Sequence, residues 1–343
     1  MPDIVAKSWR RYAVIHFSVE PDLMGASHEF LFEQHRVTVR LPRRETVDRD
    51  EPKFNPIAFV KSFRAETNEP LEYLVAQVEL EIHILGSISV PVEALVKPPC
   101  LYELFSIEQR KSVDDICEIH PPIAERAFEY WLEIIRWSSG FAVIGQPEII
   151  ERSVSGTYIH DNSTNRRIWN CGQISAGQWG PLVNKQHWDK ASTHLANGDI
   201  LPMQIRFLHD AETSVRNGYY EKSIFELAMA CEIYLRSSVF KTIPNAMPNS
   251  MVTYIRKASI SQYINKFFKK LVPRENKEQY SLLAENILLL MTDRNSYAHE
   301  GRMYNVNLER CRRYVGDVKL LFTIPLTNEP KPSFKWDSLK RVP

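Results

Sequence analysis

After Pro202 the apolar residues of this 343-residue chain recur at three- and four-residue steps almost without interruption. Such a period admits only helices packed on one another, because it lines one face of a 3.6-residue repeat with residues that must be buried. The spacing predicts helices over Met203 to Asn217, with Gly218 as the left-handed C′ residue, and over Tyr219 to Phe240, whose stripe is Ile224, Leu227, Ala228, Cys231, Tyr234 and Leu235. A third helix is expected from a Ser250 cap to about Leu271, and a fourth from about Lys277, packing Leu283, Ile287 and Leu290. A last one, Val306 to Phe322, repeats Leu308, Cys311, Val315, Val318 and Phe322. Residues 201–325 thus read as an all-α bundle, and 326–343 as an irregular basic tail carrying Lys331, Lys335, Lys340 and Arg341.

Residues 1–200 read differently. Tyr12 to Val19, Glu29 to Arg40 and Tyr73 to Leu85 are rich in β-branched and aromatic residues with partial alternation, and read as strands. Pro42 to Pro56 reads as a loop. Pro121-Pro122 introduces a helix, Ile123 to Ser138, ended by Gly140, and Asn184 to Ala196 a shorter one closed by Gly198. The whole is α+β: a strand-rich mixed domain over 1–200, then the bundle, with the boundary at Asn197 to Pro202. A chain of this length exceeds what one core usually organises.

Charge divides at the same place. Residues 1–200 hold 21 Lys and Arg against 28 Asp and Glu, a net −7, while residues 201–343 hold 22 against 14, a net +8. An anionic partner for the helical part is the expectation. The five cysteines, Cys100, Cys117, Cys171, Cys231 and Cys311, are odd in number and without a CxxC pair, so neither a disulfide framework nor a thiolate zinc site is indicated. No apolar run reaches the roughly 18 residues that span a bilayer, and Met1 to Arg11 lacks an apolar signal core. A cytoplasmic protein without membrane contact is expected. Walker A, GxGxxG, HExxH and GxSxG patterns are all missing, so P-loop, dinucleotide, zincin and serine-hydrolase chemistry lose their usual support, and no cofactor or metal is expected. His187 and His194 share a helix face but stand two turns apart without a third ligand, which favours structural roles. Trp131, Trp137, Trp169, Trp179 and Trp188 read as core rather than as base-stacking platforms.

One stretch carries chemistry: Arg294-Asn295-Ser296-Tyr297-Ala298-His299, in helical sequence. Arg-x4-His pairs arise roughly 0.7 times by chance in such a chain, and Arg11 with His16 is one; requiring Asn after the Arg lowers the expectation to about 0.04. Asn295 and His299 are about 40° apart around a helix, Arg294 and His299 about 140°. A second copy of the helix across a two-fold axis would let each Arg reach the other's His. Gly301 closes the helix, placing His299 at a C-terminus whose partial negative charge complements a cationic ring. Guanidinium, amide and imidazole together suit a phosphodiester: Arg clamps non-bridging oxygens, Asn orients the scissile group, and His moves a proton at the 2′-hydroxyl or the leaving 5′-oxygen. Read blandly, Arg294 pairs with Glu285, Asp293 or Glu300 and His299 caps its helix. Arg302, Arg310 and Arg313 are weaker candidates for contacts along an RNA backbone, since arginines opposite an apolar seam usually form a solvated face.

The block resembles the HEPN superfamily, whose mark is an Arg-polar-x3-His motif, often Arg-Asn-x3-His, in a small helical bundle. Ala228-Met229-Ala230-Cys231-Glu232-Ile233-Tyr234-Leu235 is similar to that family's earlier helix, in the ApeA-type subgroup with HEPN at the C-terminus. The resemblance covers roughly residues 203–322. It implies a metal-independent endoribonuclease, dimeric through the helical domain, leaving a 2′,3′-cyclic phosphate and a 5′-OH, in a toxin or anti-phage role. It gives Arg294 and His299 the catalytic parts and Asn295 that of the polar residue between them. Glu232, at the border of its helix's apolar stripe, is either a boundary carboxylate reaching water or a support for Arg294 or His299. The alternative is a non-catalytic HEPN-like module that dimerises and binds RNA or protein. Residues 1–200 carry no matching motif; sensing a trigger or restraining the nuclease is the expectation for them.

Overall fold

The computed structural model describes residues 3–4, 7–44, 58–67, 69–83, 88–89, 105–145, 156–161, 166–172, 181–243, 247–301, 303 and 306–327. Most of the Pro42 to Pro56 loop, the tail from 328 on, Arg302 and Trp179 lie outside them. The chain is α+β, and it divides into compact units of residues 1–201 and 202–343.

The first unit contains two four-stranded sheets. One is antiparallel throughout, in the order β2 (Lys7–Ala13), β8 (Gln77–His83), β5 (His35–Arg40), β4 (Ser27–Phe32). The other runs β12 (Leu182–Val183), β3 (Ser18–Val19), β7 (Pro70–Val75), β6 (Ala58–Phe63), with its only parallel pair at β12 and β3. Alternation in β8 is complete: Val78, Leu80 and Ile82 are buried, and the residues between them are half-buried. Short pairs join β1 (Asp3–Ile4) to β9 (Ile88–Ser89) and β10 (Gly156–Asp161) to β11 (Arg166–Gly172).

Several expectations are corrected here. Tyr12 to Val19 covers the end of β2 and then β3, and Tyr73 to Leu85 the end of β7 and then β8, strands of different sheets. Glu29 to Arg40 is not one strand but the β4–β5 hairpin, turning on Glu33 and Gln34 at φ 46° and 72°. Both positive angles belong to a primed two-residue turn, which Gly and Asn adopt without strain, so Glu-Gln gave no signal for it. Glu33 instead accepts two bonds from Arg126, at 3.0 and 2.6 Å. Nor does the long helix begin after the prolines. α1 (Ile107–Ser139) starts on a capping box formed by Ser106 and Gln109 and runs through Pro121 and Pro122. Each proline withdraws one i−4 hydrogen bond, a loss that the buried face Ala124, Ala127, Trp131, Ile134 and Ile135 outweighs.

Those residues pack with α2 (Lys185–Asn197), capped by Asn184 and ended by left-handed Gly198. At the centre Trp131 Nε1 donates to His28 Nδ1 at 3.0 Å, His28 Nε2 bonds the Trp188 carbonyl at 3.2 Å, and the His28 ring stacks on Trp188. With one nitrogen accepting and the other donating, the ring is neutral, and burial pushes its pKa down from 6.5 to about 4 against the opposing pull of the Trp188 carbonyl and Asp189. Above pH 6.5 folded and unfolded chains both carry the neutral ring, so this contribution is complete. Between pH 6.5 and 4 only the unfolded chain takes up the proton, and stability falls. The expected loss over that window is about 3 kcal/mol, at 1.36 kcal/mol per pKa unit. Urea titrations followed by tryptophan fluorescence should show it in the wild type and not in His28→Gln.

The second unit is a helical bundle of α3 (Met203–Arg216), α4 (Tyr220–Lys241), α5 (Asn249–Lys257), a composite helix α6 over 260–271, α7 (Lys277–Glu300) and α8 (Leu308–Thr323). α4 runs through the core: Ile224, Leu227, Ala228, Cys231 and Leu235 are each fully buried. Gly218 takes φ 78° past the end of α3, as the sequence requires. The expected single helix from Ser250 to Leu271 is two, because Ala258 is extended and Ser259 with Gln262 forms a capping box that starts a new helix. A π turn, Tyr263–Phe268, then brings Tyr263, Ile264, Phe267 and Phe268 all inward.

Candidate functional site

The motif occupies the last two turns of α7. Leu283, Ile287, Leu290 and Met291 hold the helix on the core, and Gly301 stops it at φ 68° with its N–H bonded to the Tyr297 carbonyl. His299, exposed, lies in the final turn.

Arg294 does not turn toward His299. Its side chain, 23% exposed, crosses to α4, where Nη2 donates to Glu232 Oε2 at 2.9 Å. Nη1 donates to Asn295 Oδ1 at 3.2 Å, so the amide follows the guanidinium, and Nε is buried without a hydrogen-bond partner among the described residues. Of the two readings of Glu232, the structure places its carboxylate on Arg294, 62 residues away in sequence. Asp293 is no partner for Arg294. It accepts from Arg310 Nη2 at 2.8 Å and from the Tyr314 hydroxyl at 2.7 Å, both on α8. Burial raises the Tyr314 pKa, and the bond donated to Asp293 raises it further. Arg310 is therefore engaged within the chain, while Arg313, exposed, lies with its guanidinium 5.6 Å from the Tyr314 ring centre.

Two features escaped sequence reasoning. Glu232 Oε1 is held by Arg236 Nε at 2.9 Å, one turn along α4, so a single carboxylate serves two guanidiniums. The signal was present as a Glu with Arg four residues later, the favoured order for such pairs. The other is the Asp293–Arg310–Tyr314 set, whose members are 17 and 21 residues from Asp293 and share no short motif.

His187 and His194 have local partners. His187 completes the Asn184 cap, and His194 Nδ1 meets Asp199 Oδ2 at 2.7 Å while stacking on Trp137. Trp131 and Trp188 are core residues. Among the described residues, no group of three or more His, Cys, Asp or Glu is placed to share a metal ion, and no helix is long and apolar enough to cross a membrane. Compared with family models, with curated proteins and with solved structures, the chain matches none.

Proposed function

We propose that the protein is a metal-independent endoribonuclease of the HEPN type, acting through Arg294, Asn295 and His299 at the end of α7. The observation that carries this reading is Arg294 held in place by Glu232 from another helix, with His299 open to solvent five residues on. A guanidinium fixed before its ligand arrives loses less freedom on binding a phosphodiester. In the reaction the ribose 2′-oxygen attacks phosphorus and the P–O5′ bond breaks. His299 takes up the 2′-hydroxyl proton and returns one to the departing 5′-oxygen, while Arg294 and Asn295 bind the non-bridging oxygens. The products are a 2′,3′-cyclic phosphate and a 5′-hydroxyl.

About 140° of helix separates Arg294 from His299, so one copy does not converge both groups on one face. The proposal therefore includes a homodimer through α7. Leu282 and Leu289, 66% and 50% exposed and seven residues apart, mark an apolar face of that helix fit to meet its twin. The HEPN resemblance adds a toxin or anti-phage setting, with residues 1–201 as the regulator.

A second reading, a non-catalytic module binding RNA or a protein, is favoured by one observation: Arg294 is already ion-paired within its own chain. The assay that separates them uses the purified chain, mixed RNA and excess EDTA. The nuclease leaves fragments ending in 2′,3′-cyclic phosphate; intact RNA, bound or unbound, overturns the catalytic reading.

A further inference from the structure

Arg236 has no place in the mechanism above, yet it is built into the same site. Its Nε donates to Glu232 Oε1 at 2.9 Å while Arg294 donates to Oε2 at the same distance, so the two guanidiniums bracket one carboxylate. Two cations on one anion leave the cluster with a net positive charge. Arg236 is also fixed from behind. Its Nη1 donates to the Arg256 carbonyl at 3.2 Å, and its guanidinium carbon stands 4.7 Å from the centre of the Tyr263 ring. Tyr263 is itself fully buried and pinned through its hydroxyl to the Ile255 carbonyl at 2.7 Å. An arginine on an α-helix surface ordinarily samples many rotamers; this one is held by α4, α5 and α6 at once and is still 31% exposed. The exposed side chains of Arg256 and Lys257 continue the positive charge along the end of α5.

We propose that Arg236 is the site's second phosphate contact, gripping the phosphate next to the one held by Arg294, with Glu232 as the internal counter-ion that keeps both guanidiniums aimed before RNA binds. The proposal rests on the reading that the ligand is RNA. Planar guanidiniums suit this task because each offers paired donors to phosphate oxygens, and a shared carboxylate fixes their separation.

The test measures binding of a 2′-O-methylated single-stranded RNA, which attack by a 2′-hydroxyl cannot cleave, to the full chain over a range of salt. For single strands the slope of log K against log salt is about −0.7 per phosphate contact, so Arg236→Gln should make it shallower by about 0.7. Affinity at low salt should fall roughly tenfold or more, as for other lost charge-assisted bonds. Arg236→Lys should keep the slope and bind several-fold more weakly, its point charge replacing the fork. Lys277→Gln, at the far end of α7, should change neither. A residue that merely braces Glu232 would shift the melting temperature and leave the salt slope alone, and an unchanged slope in folded Arg236→Gln overturns the proposal. Should Arg236→Gln fail to fold, undiminished affinity in Arg236→Lys overturns it instead. Failure of the wild type to bind this RNA sinks the RNA reading and the proposal together, whereas binding without cleavage in the EDTA assay removes the nuclease and leaves Arg236 on trial.

Discussion

On the proposed nuclease reading, replacing His299 by alanine should lower RNA cleavage by about 10²–10⁴-fold, the range for loss of a general acid or base. The side chain is exposed in the last turn of its helix, one residue before Glu300 and two before the closing glycine, so its removal leaves no cavity and no buried group without a partner. Melting temperature and oligomeric state should therefore match the wild type. Single-turnover assays with a labelled RNA, run beside thermal melts, check both halves of the expectation. Cleavage that survives His299→Ala would refute the assignment of that residue, whatever became of RNA binding.

Trp131→Ala acts on the other unit and by another route. Trp131 is fully buried in the C-terminal third of α1, packs edge-on against Phe17 and Trp188, and donates its only hydrogen bond to His28. Truncation costs about 3–5 kcal/mol for the cavity, and more because His28 Nδ1 is left buried without its donor. A loss of that size is a large part of the stability of an ordinary domain. Trp131→Ala should bring early, broad unfolding of the first unit, seen as a separate low-temperature transition by calorimetry. A melting profile like that of the wild type would contradict the place given to this residue in the core.

How much of this was legible beforehand depends on the range over which each feature is encoded. The helices α3, α4, α7 and α8 were readable because their burial period is local, and Gly218 and Gly301 mark the ends of α3 and α7 within two residues. The strand β8 was readable for the same reason, its buried face falling on every second residue. The hairpin at Glu33 and Gln34 was not, since neither residue advertises a left-handed backbone and the bond to Arg126 spans 93 positions. Pro121 and Pro122 misled, because a proline pair ends most helices and here the upstream cap at Ser106 had already started one. At the candidate site, Arg294, Asn295 and His299 were found through their spacing, and Glu232 through its position on the edge of a stripe. Tyr314 was missed because what gives it meaning is a carboxylate on another helix, and Arg236 because its i+4 pairing with Glu232 gains meaning only where Arg294 reaches the same carboxylate from α7.

Asp293 and Arg294 adjoin in sequence but are tied to different helices, the first to α8 and the second to α4. The tip of α7 is thus guyed from two sides, like a mast. Orientation of the Arg-Asn-x3-His signature is consequently delegated to residues on two other helices, far from it in sequence. A variant that keeps all six residues of the motif but loses Glu232, Arg310 or Tyr314 should therefore slacken the end of α7 on that side.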